Sequence, residues 1–184
     1  YSGNQATVTV FSNYSDGVSG TTFGDLFISS NGWHPFGSAP HNADDASNGE
    51  VWELVFDTSE GKIYGGNFSI LLAENVISSG TVRDGQEVLR GSGGTLKGTG
   101  TVTTGSAFDA TTNKTWNTIA YAFDWAALGI VPGNDMGLRW EMTCANDAIE
   151  GVAPTPTRPN DVPLPGSALL LGAGLLAWRR TAWK

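Results

Sequence analysis

An alternation of apolar and polar residues with a period of two recurs over roughly the first 150 residues, and it constrains the fold more than any other feature. Residues 50–57, EVWELVFD, are the clearest example. Trp52, Leu54 and Phe56 are expected on one side of a strand. Glu53 and Asp57 are expected on the other. Six further segments carry the same pattern: residues 6–11, 24–30, 67–72, 95–104, 118–124 and 137–144. The pattern predicts β-strands that each bury one face.

The apolar positions of these strands predict the core. The residues expected to point inward are Val8, Val10, Leu26, Ile28, Ile119, Tyr121, Phe123, Leu138, Trp140 and Met142. Arg139 and Glu141 alternate with them and are expected on a solvated side of the sheet, as are Glu53 and Asp57. Cys144 is the only cysteine, so no disulfide can form within the chain. We expect it to be buried in the core as a small apolar residue.

Turn-forming clusters of Gly, Asn, Asp, Ser and Pro separate the predicted strands. They lie at residues 15–20, 31–49, 59–62, 83–87 and 131–135. One helical segment is predicted at residues 125–128, where Asp124 would cap the first turn and Gly129 would end it. Many short strands with Gly-rich turns favour an all-β fold, an antiparallel β-sandwich or jelly roll, over a parallel α/β sheet.

The composition of the chain changes after Gly151. Residues 152–166 contain five prolines, which fix φ and remove backbone N–H donors, so an extended linker is predicted there. Residues 167–178, SALLLGAGLLAW, form an apolar run. We therefore predict a β-sandwich domain at 1–151, a Pro-rich linker at 152–166 and an apolar tail with a basic end at 167–184.

Charge divides along the same boundary. Residues 1–157 hold six Lys and Arg against 17 Asp and Glu, a net charge of −11. Residues 158–184 hold four basic residues against one acid, a net charge of +3. An acidic body repels phosphate backbones, so a nucleic-acid partner is not expected.

The strongest motif lies in the tail. Val162-Pro163-Leu164-Pro165 is followed by the apolar run and then by Arg179 and Arg180. This order resembles the sorting signal of exosortase-dependent bacterial proteins of the PEP-CTERM (VPLPA) type. The resemblance implies export to the cell surface or extracellular matrix, recognition by exosortase, and transient insertion of the tail into a membrane. Arginines that follow an apolar run favour the cytoplasmic side, which fits that role.

Two features of this tail depart from the usual signal: its apolar run is short, and Thr181–Lys184 extends past the arginines, where such signals usually stop. The 14 residues from Pro165 to Trp178 would cover about 21 Å as a helix, which is less than the roughly 30 Å of a bilayer core. Snorkelling of Arg179 and Arg180 would supply part of the difference. The alternative is a tail that packs on protein, either its own body or a neighbouring copy. Residues 24–33, 83–94 and 139–151 also resemble the ectodomains of exosortase-sorted proteins, a resemblance that implies no established activity.

Oxygen-bearing side chains in one loop are candidate calcium ligands. Asp44, Asp45, Asn48 and Glu50 form the densest such group, although their spacing does not fit an EF-hand loop. The alternative is a set of solvated acidic turn residues. His34 and His41 lie in the same loop with irregular spacing, and we expect loop roles for them instead of metal ligation. Asn134–Asp135 and Asn146–Asp147 are secondary options for calcium, and no other metal or cofactor is predicted.

Sugars could be bound or attached. Trp33 and Trp116 lie between polar residues, where an indole could stack on a sugar, although edge-on packing is the alternative. Asn13, Asn67 and Asn113 each precede Ser or Thr by two positions, the pattern of a glycosylation acceptor, which also arises by chance.

The sequence contains no catalytic constellation, because Glu53, Asp57 and Glu141 are expected on solvated faces. We therefore predict a non-enzymatic structural protein of the cell surface or matrix, which assembles with its own copies as a homo-oligomer or filament. The alternative is an envelope-anchored carbohydrate-binding module with a polysaccharide partner. A polysaccharide hydrolase would require two inward acids that face a cleft.

Overall fold

The structure is a computed structural model that describes residues 1–14, 20–39, 41, 43–78, 82–146 and 148–157. Every residue of the predicted sorting motif (Val162, Pro163, Leu164, Pro165, Arg179 and Arg180) lies outside these ranges. The predicted tail and most of the predicted linker also lie outside them, so those predictions remain predictions.

The described residues form eight strands and one short helix. In chain order these are β1 Gln5–Ser12, β2 Phe23–Ser29, β3 Leu54–Asp57, β4 Lys62–Leu72, α1 Ala73–Val76, β5 Glu87–Asp109, β6 Lys114–Asp124, β7 Asp135–Met142 and β8 Ala148–Pro154. All strands join one sheet in the order β1-β6-β5-β4-β3-β2-β7-β8, and every neighbouring pair is antiparallel. The prediction of an all-β, antiparallel fold is confirmed.

The long strand β5 makes the sheet curl, because it changes partner along its length. Its first part pairs with β4 as far as Thr99, and its second part pairs with β6 from Gly100 onward. A side chain at Gly100 would collide with the ring of Phe56, since a Cβ there would lie 2.5 Å from it. The glycine therefore permits β3 to pack directly beneath the point where β5 passes from one partner to the other.

The core lies inside this curl. Phe56 of β3 packs against Tyr121 and Phe123 of β6, with ring centroids 5.2 and 6.1 Å apart. The indole N–H of Trp140 on β7 donates to the hydroxyl of Tyr121 at 2.9 Å. The predicted inward residues are confirmed: Val10, Leu26, Ile28, Ile119, Tyr121, Phe123, Trp140 and Met142 are buried in one cluster, and Val8 and Leu138 pack against it. Cys144 is buried and free.

The opposite face of β2, β3 and β7 is also covered, contrary to the sequence pattern. The described part of segment 30–53 lies over it, and Trp52 packs on Phe27 with ring centroids 6.4 Å apart. Trp52 therefore belongs with Phe27 and Val55, and the prediction that it shares a side with Leu54 and Phe56 is wrong. The physical reason is that β3 begins only at Leu54, and strict alternation holds only within a continuous strand.

The predicted solvated positions are also corrected, for a different reason. Asp57, Arg139 and Glu141 are buried, and only Glu53 of the four is partly exposed. Sequence alternation separates the two faces of a strand, but it cannot tell a solvated face from one that a distant loop covers.

The predicted helix at residues 125–128 is instead a tight turn. Asp124 Oδ1 accepts the backbone N–H groups of Ala126 and Ala127, both at 3.0 Å. The N–H groups of Leu128 and Gly129 donate three residues back, which closes turns and not α-helical hydrogen bonds. The capping and terminating residues were thus correct, but the segment is too short for a helix. The α1 helix was not predicted.

Strand β8 was also not predicted. It pairs with β7 along its whole length and ends at Pro154, three residues into the segment predicted as linker. A proline is tolerated there because β8 is an edge strand of the sheet. Among the residues that the structure describes, no helix is long and apolar enough to cross a membrane.

Candidate functional site

Polar and charged side chains lie beneath segment 30–53 in a group that we name the arginine cluster: Gln86, Glu87, Arg139, Glu141 and Glu150, of which only Glu150 is partly exposed. Arg139 and Glu141 lie two residues apart on β7 and so share a face, and β8 places Glu150 directly opposite Arg139. The guanidinium forms ion pairs with Glu141 and Glu150. Its Nη2 also lies 3.5 Å from Glu87 Oε2 and 2.5 Å from Gln86 Oε1.

The arginine cluster holds three carboxylates and one guanidinium. Burial raises the pKa of Glu87, and the nearby charge of Arg139 only partly opposes this. Burial also lowers the pKa of Arg139, against the influence of Glu87. Within the described residues, Arg139 Nε, Glu87 Oε2 and the carboxylate oxygens of Glu141 lack hydrogen-bond partners, although Glu141 Oε1 is in ion-pair contact with Arg139. The cluster is therefore a charged network with more negative than positive groups.

A second polar group, the aspartate pair, comprises Asp25 and Asp57. The two oxygens of Asp25 accept the backbone N–H groups of Thr58 at 2.8 Å and Arg90 at 2.7 Å. Burial nevertheless raises the pKa of Asp25 to about 6. Partial burial alone would raise the pKa of Asp57 as well. Hydrogen bonds from Ser59 and Glu60 and the ion pair with Arg90 outweigh it and hold the pKa of Asp57 below its usual value.

Both aspartates line a cavity of about 560 Å³. Two carboxyl groups whose pKa values are shifted apart inside a cavity are what an acid–base pair would present. Here, however, both oxygens of Asp25 already accept backbone N–H groups. Asp57 Oδ2 accepts two hydrogen bonds from the Arg90 guanidinium, at 2.9 and 3.2 Å. Asp57 Oδ1 accepts from Ser59 and Glu60. The geometry fits a brace between β2, the turn after β3, and β5.

A third site, the Trp33 groove, is open to solvent and has a volume of about 590 Å³. Its lining residues are Asn31, Gly32, Trp33, His34, Gly133, Asn134, Asp135 and Val152. The indole N–H of Trp33 donates to Glu150 Oε2 at 3.2 Å, so the arginine cluster holds the ring in place. The edge of His41 contacts the same ring, with centroids 5.5 Å apart.

The two walls of the Trp33 groove differ in whether their polar side chains already have hydrogen-bond partners. On one wall, Glu50 Oε2 accepts the backbone N–H of His34 at 2.6 Å and lies 3.1 Å from its Nδ1. On the other wall, Asn134 and Asp135 are exposed, and no described residue bonds to either side chain. The groove thus combines a partly buried indole with a free amide and a free carboxylate.

The structure does not bring the candidate calcium ligands together. Asp44 Oδ2 accepts the N–H of Phe36 at 2.6 Å, while Asp45 Oδ1 accepts those of Ser47 and Asn48. The carboxylate of Glu50 is directed at Ser29 and His34 instead. In the described ranges, no group of three or more His, Cys, Asp or Glu residues could hold a metal ion.

The remaining predicted sites lie apart from one another. Trp116 is partly buried near the tip of the β5–β6 hairpin, where Lys114 Nζ lies 5.8 Å from its ring centroid. Asn13, Asn67 and Asn113 are exposed, and their modification remains a prediction. Trp33 and Trp116 therefore belong to different surfaces, and only Trp33 lines a described groove.

Sequence reasoning missed several residues of these sites, among them Asp25, Glu87 and Glu150, and it gave Asn134 and Asp135 only as secondary calcium candidates. A usable signal existed for Asp25, because an acid within the otherwise apolar segment GDLFI requires hydrogen-bond partners when it is buried. Comparisons with protein-family models, with curated proteins and with solved structures found no match for the chain.

Proposed function

We propose that this chain is an exported bacterial protein of the cell surface or extracellular matrix, with a non-enzymatic, structural body that assembles with its own copies. In this proposal the curled sheet is a β-sandwich-like body, residues 152–166 link it to the tail, and exosortase recognises the motif from Val162 to Pro165. The order of proline motif, apolar run and arginine pair supports the sorting step.

The observation that carries the assembly step is the state of the two sheet edges. β1 and β8 stand at the two ends of the strand order, so neither has a second strand partner among the described residues. A groove of about 350 Å³ lies between them, lined by residues 8–11 and 149–152 together with Leu26 and residues 138–140. Phe11, Ile149 and Val152 at this seam are 51, 39 and 53 % exposed.

Edge strands usually carry features that prevent pairing with other chains, such as lysines or prolines. β1 has no charged residue and no proline, and β8 carries only Glu150, whose side chain turns inward to Arg139, and the terminal Pro154. Both edges are therefore nearly uncharged, although the body as a whole is acidic. This combination supports pairing between copies into a fibre or layer.

Assembly is tested by sedimentation of the purified chain over a range of concentrations. We expect oligomers for the unaltered chain and monomers for Phe11→Lys and Val152→Lys. Leu96→Lys is the matched control, because Leu96 is equally exposed on β5, which is not an edge strand. A chain that stays monomeric at high concentration would contradict the assembly step.

Sorting is tested by the intact mass of the protein recovered from an exosortase-producing bacterium. We expect loss of the tail near the motif, and retention of the full mass after Pro163→Ala with Pro165→Ala. Pro156→Ala with Pro159→Ala is the control, since it removes two prolines outside the motif. Retention of the tail in the unaltered protein would remove the sorting step from the proposal.

The Trp33 groove favours a second candidate function, an envelope-anchored carbohydrate-binding module. An indole held by a buried network beside free polar groups is a suitable platform for a sugar. Binding to polysaccharide in a pull-down should fall after Trp33→Ala and persist after Trp116→Ala. Equal binding by both variants would speak against a role of the groove.

A further inference from the structure

We propose that the Trp33 groove binds an uncharged polysaccharide, with Asn134 and Asp135 as the groups that recognise its hydroxyls and Trp33 as the surface that packs against its ring. This inference rests on the carbohydrate-binding function named above, and it adds the class of ligand and the residues that contact it.

The free polar groups of the groove match the chemistry of a sugar diol. Each sugar hydroxyl both donates and accepts a hydrogen bond. The amide of Asn134 offers a donor and an acceptor, and the carboxylate of Asp135 accepts strongly. Because no described residue bonds to these side chains, a ligand would replace water at them without breaking hydrogen bonds within the protein.

The backbone that carries these side chains is fixed before any ligand arrives. The N–H of Gly133 donates to Pro156 O at 3.1 Å, and Gly133 has a φ of 84°, which a glycine adopts without strain. The carbonyl of Asn134 accepts from the N–H of Thr155 at 3.1 Å and from its hydroxyl at 2.7 Å. A turn tied to the end of β8 in this way loses little freedom on binding.

The indole is fixed from the other side of the groove. Trp33 donates to Glu150, which is itself paired with the buried Arg139. Partly buried Trp33 also packs against the cluster of Phe27, Trp52 and Val55. Glu150 and Arg139 therefore act as positioning residues, because they hold the ring without touching the ligand.

The charges around the groove select against anionic polymers. Asp135 lines it, and Glu50 and Glu53 lie just behind His34 and Asn31, to which they are bonded. No lysine or arginine is among its described lining residues. A polymer of uronic acids or sulfated sugars would meet like charge at each step, whereas an uncharged polymer would not.

The experiment measures binding of the full chain to uncharged polysaccharides (dextran, mannan and galactan) and to anionic ones (alginate and polygalacturonate) by affinity electrophoresis. We expect retardation only by one or more uncharged polymers. Asn134→Ala and Asp135→Ala should each weaken binding about five- to tenfold, as loss of one or two hydrogen bonds does. Both residues are exposed, so these variants should fold normally.

Trp33→Phe keeps a ring but removes the N–H that positions it, and we expect weaker binding with unchanged order of preference among the polymers. Trp116→Ala is the control and should bind normally. A preference for anionic polymers overturns the ligand class. Uncharged-polymer binding that survives Asn134→Ala and Asp135→Ala but falls in Trp116→Ala overturns the groove and leaves a carbohydrate-binding function standing. Absence of binding to every polymer overturns both.

Discussion

Two buried regions of this molecule lie on opposite faces of β7 and are built in opposite ways. The inner core, formed around Phe56, Tyr121 and Trp140, is almost wholly apolar, and its few polar atoms satisfy one another. The arginine cluster on the other face of β7 places three carboxylates around Arg139, two of them buried and that of Glu150 partly buried. Removal of apolar surface from water stabilises the inner core. The stability of the arginine cluster depends instead on charge pairing that must offset the cost of desolvation.

Burial alone therefore does not predict how the stability of the fold responds to a substitution. An inner-core side chain loses contacts in proportion to the atoms removed. A charged side chain of the arginine cluster, when removed, leaves its partners buried without compensation. The two regions should therefore respond differently to mutation and to pH.

The largest effect is expected for Phe56→Ala in the inner core. Phe56 is fully buried and contacts two aromatic rings of β6, so its truncation opens a cavity between β3 and β6. We expect a loss of about 3–5 kcal/mol in the free energy of unfolding, measured by urea denaturation. Phe108→Ala is the control: Phe108 is 64 % exposed, and its loss should change stability by less than about 0.5 kcal/mol. Similar values for the two variants would show that Phe56 is not part of a packed core.

The next effect is expected for Arg139→Met, which keeps much of the volume and removes the charge. Three carboxylates then lack their guanidinium, and we expect a loss of about 3 kcal/mol at pH 7.5. Adding Glu141→Leu should recover part of it, because one uncompensated charge is gone. Lys62→Met removes a cation from an exposed pair with Glu60 and should cost less than about 1 kcal/mol. An Arg139→Met variant as stable as Lys62→Met would refute the contrast between the regions.

The inner core could be predicted from the sequence because it depends on short-range pattern alone. Ile119, Tyr121 and Phe123 alternate within one strand, as do Trp140 and Met142, and side chains two apart must share a face. The same reasoning failed for Trp52, which precedes β3, and for β8, whose sequence AIEGVAP alternates weakly and ends in proline.

The arginine cluster could not be predicted, because its members come together only through the sheet order. Glu87 begins β5, Arg139 lies on β7, and Glu150 is brought opposite by β8. Whether Arg139 and Glu141 face solvent depends on segment 30–53, most of which (residues 31–49) is a turn-forming cluster without a periodic signal. For the Trp33 groove, the sequence indicated Trp33 but not Asn134 and Asp135, since nothing local predicts that the turn at 131–135 meets the one at 31–34.

The smallest effect concerns how stability depends on pH, and it reports on the buried charges only. The pKa of Asp25 is raised to about 6, above the roughly 3.9 of an unfolded aspartate, so the folded chain binds more protons between about pH 4 and pH 6. Stability contributed by this group therefore rises as the pH falls through that window. Glu87 acts in the same direction, because burial raises its pKa as well. Asp57 has a lowered pKa, so the stability that it contributes is lost as the pH falls. This loss occurs below about pH 4, outside the window considered.

We therefore expect the free energy of unfolding to increase by about 1–2 kcal/mol from pH 7.5 to pH 5. Asp25→Asn should flatten this rise, because the variant has no proton to gain, even if its stability is lower throughout. Asp109→Asn is the matched control: Asp109 is an acid at the exposed end of β5 with a lowered pKa, so the rise between pH 7.5 and pH 5 should remain. The inner core has no titrating group in this range, so Phe56→Ala should shift the whole curve without changing its slope. Stability that falls between pH 7.5 and pH 5 would mean that paired carboxylates, and not desolvated ones, dominate the buried charge of this fold.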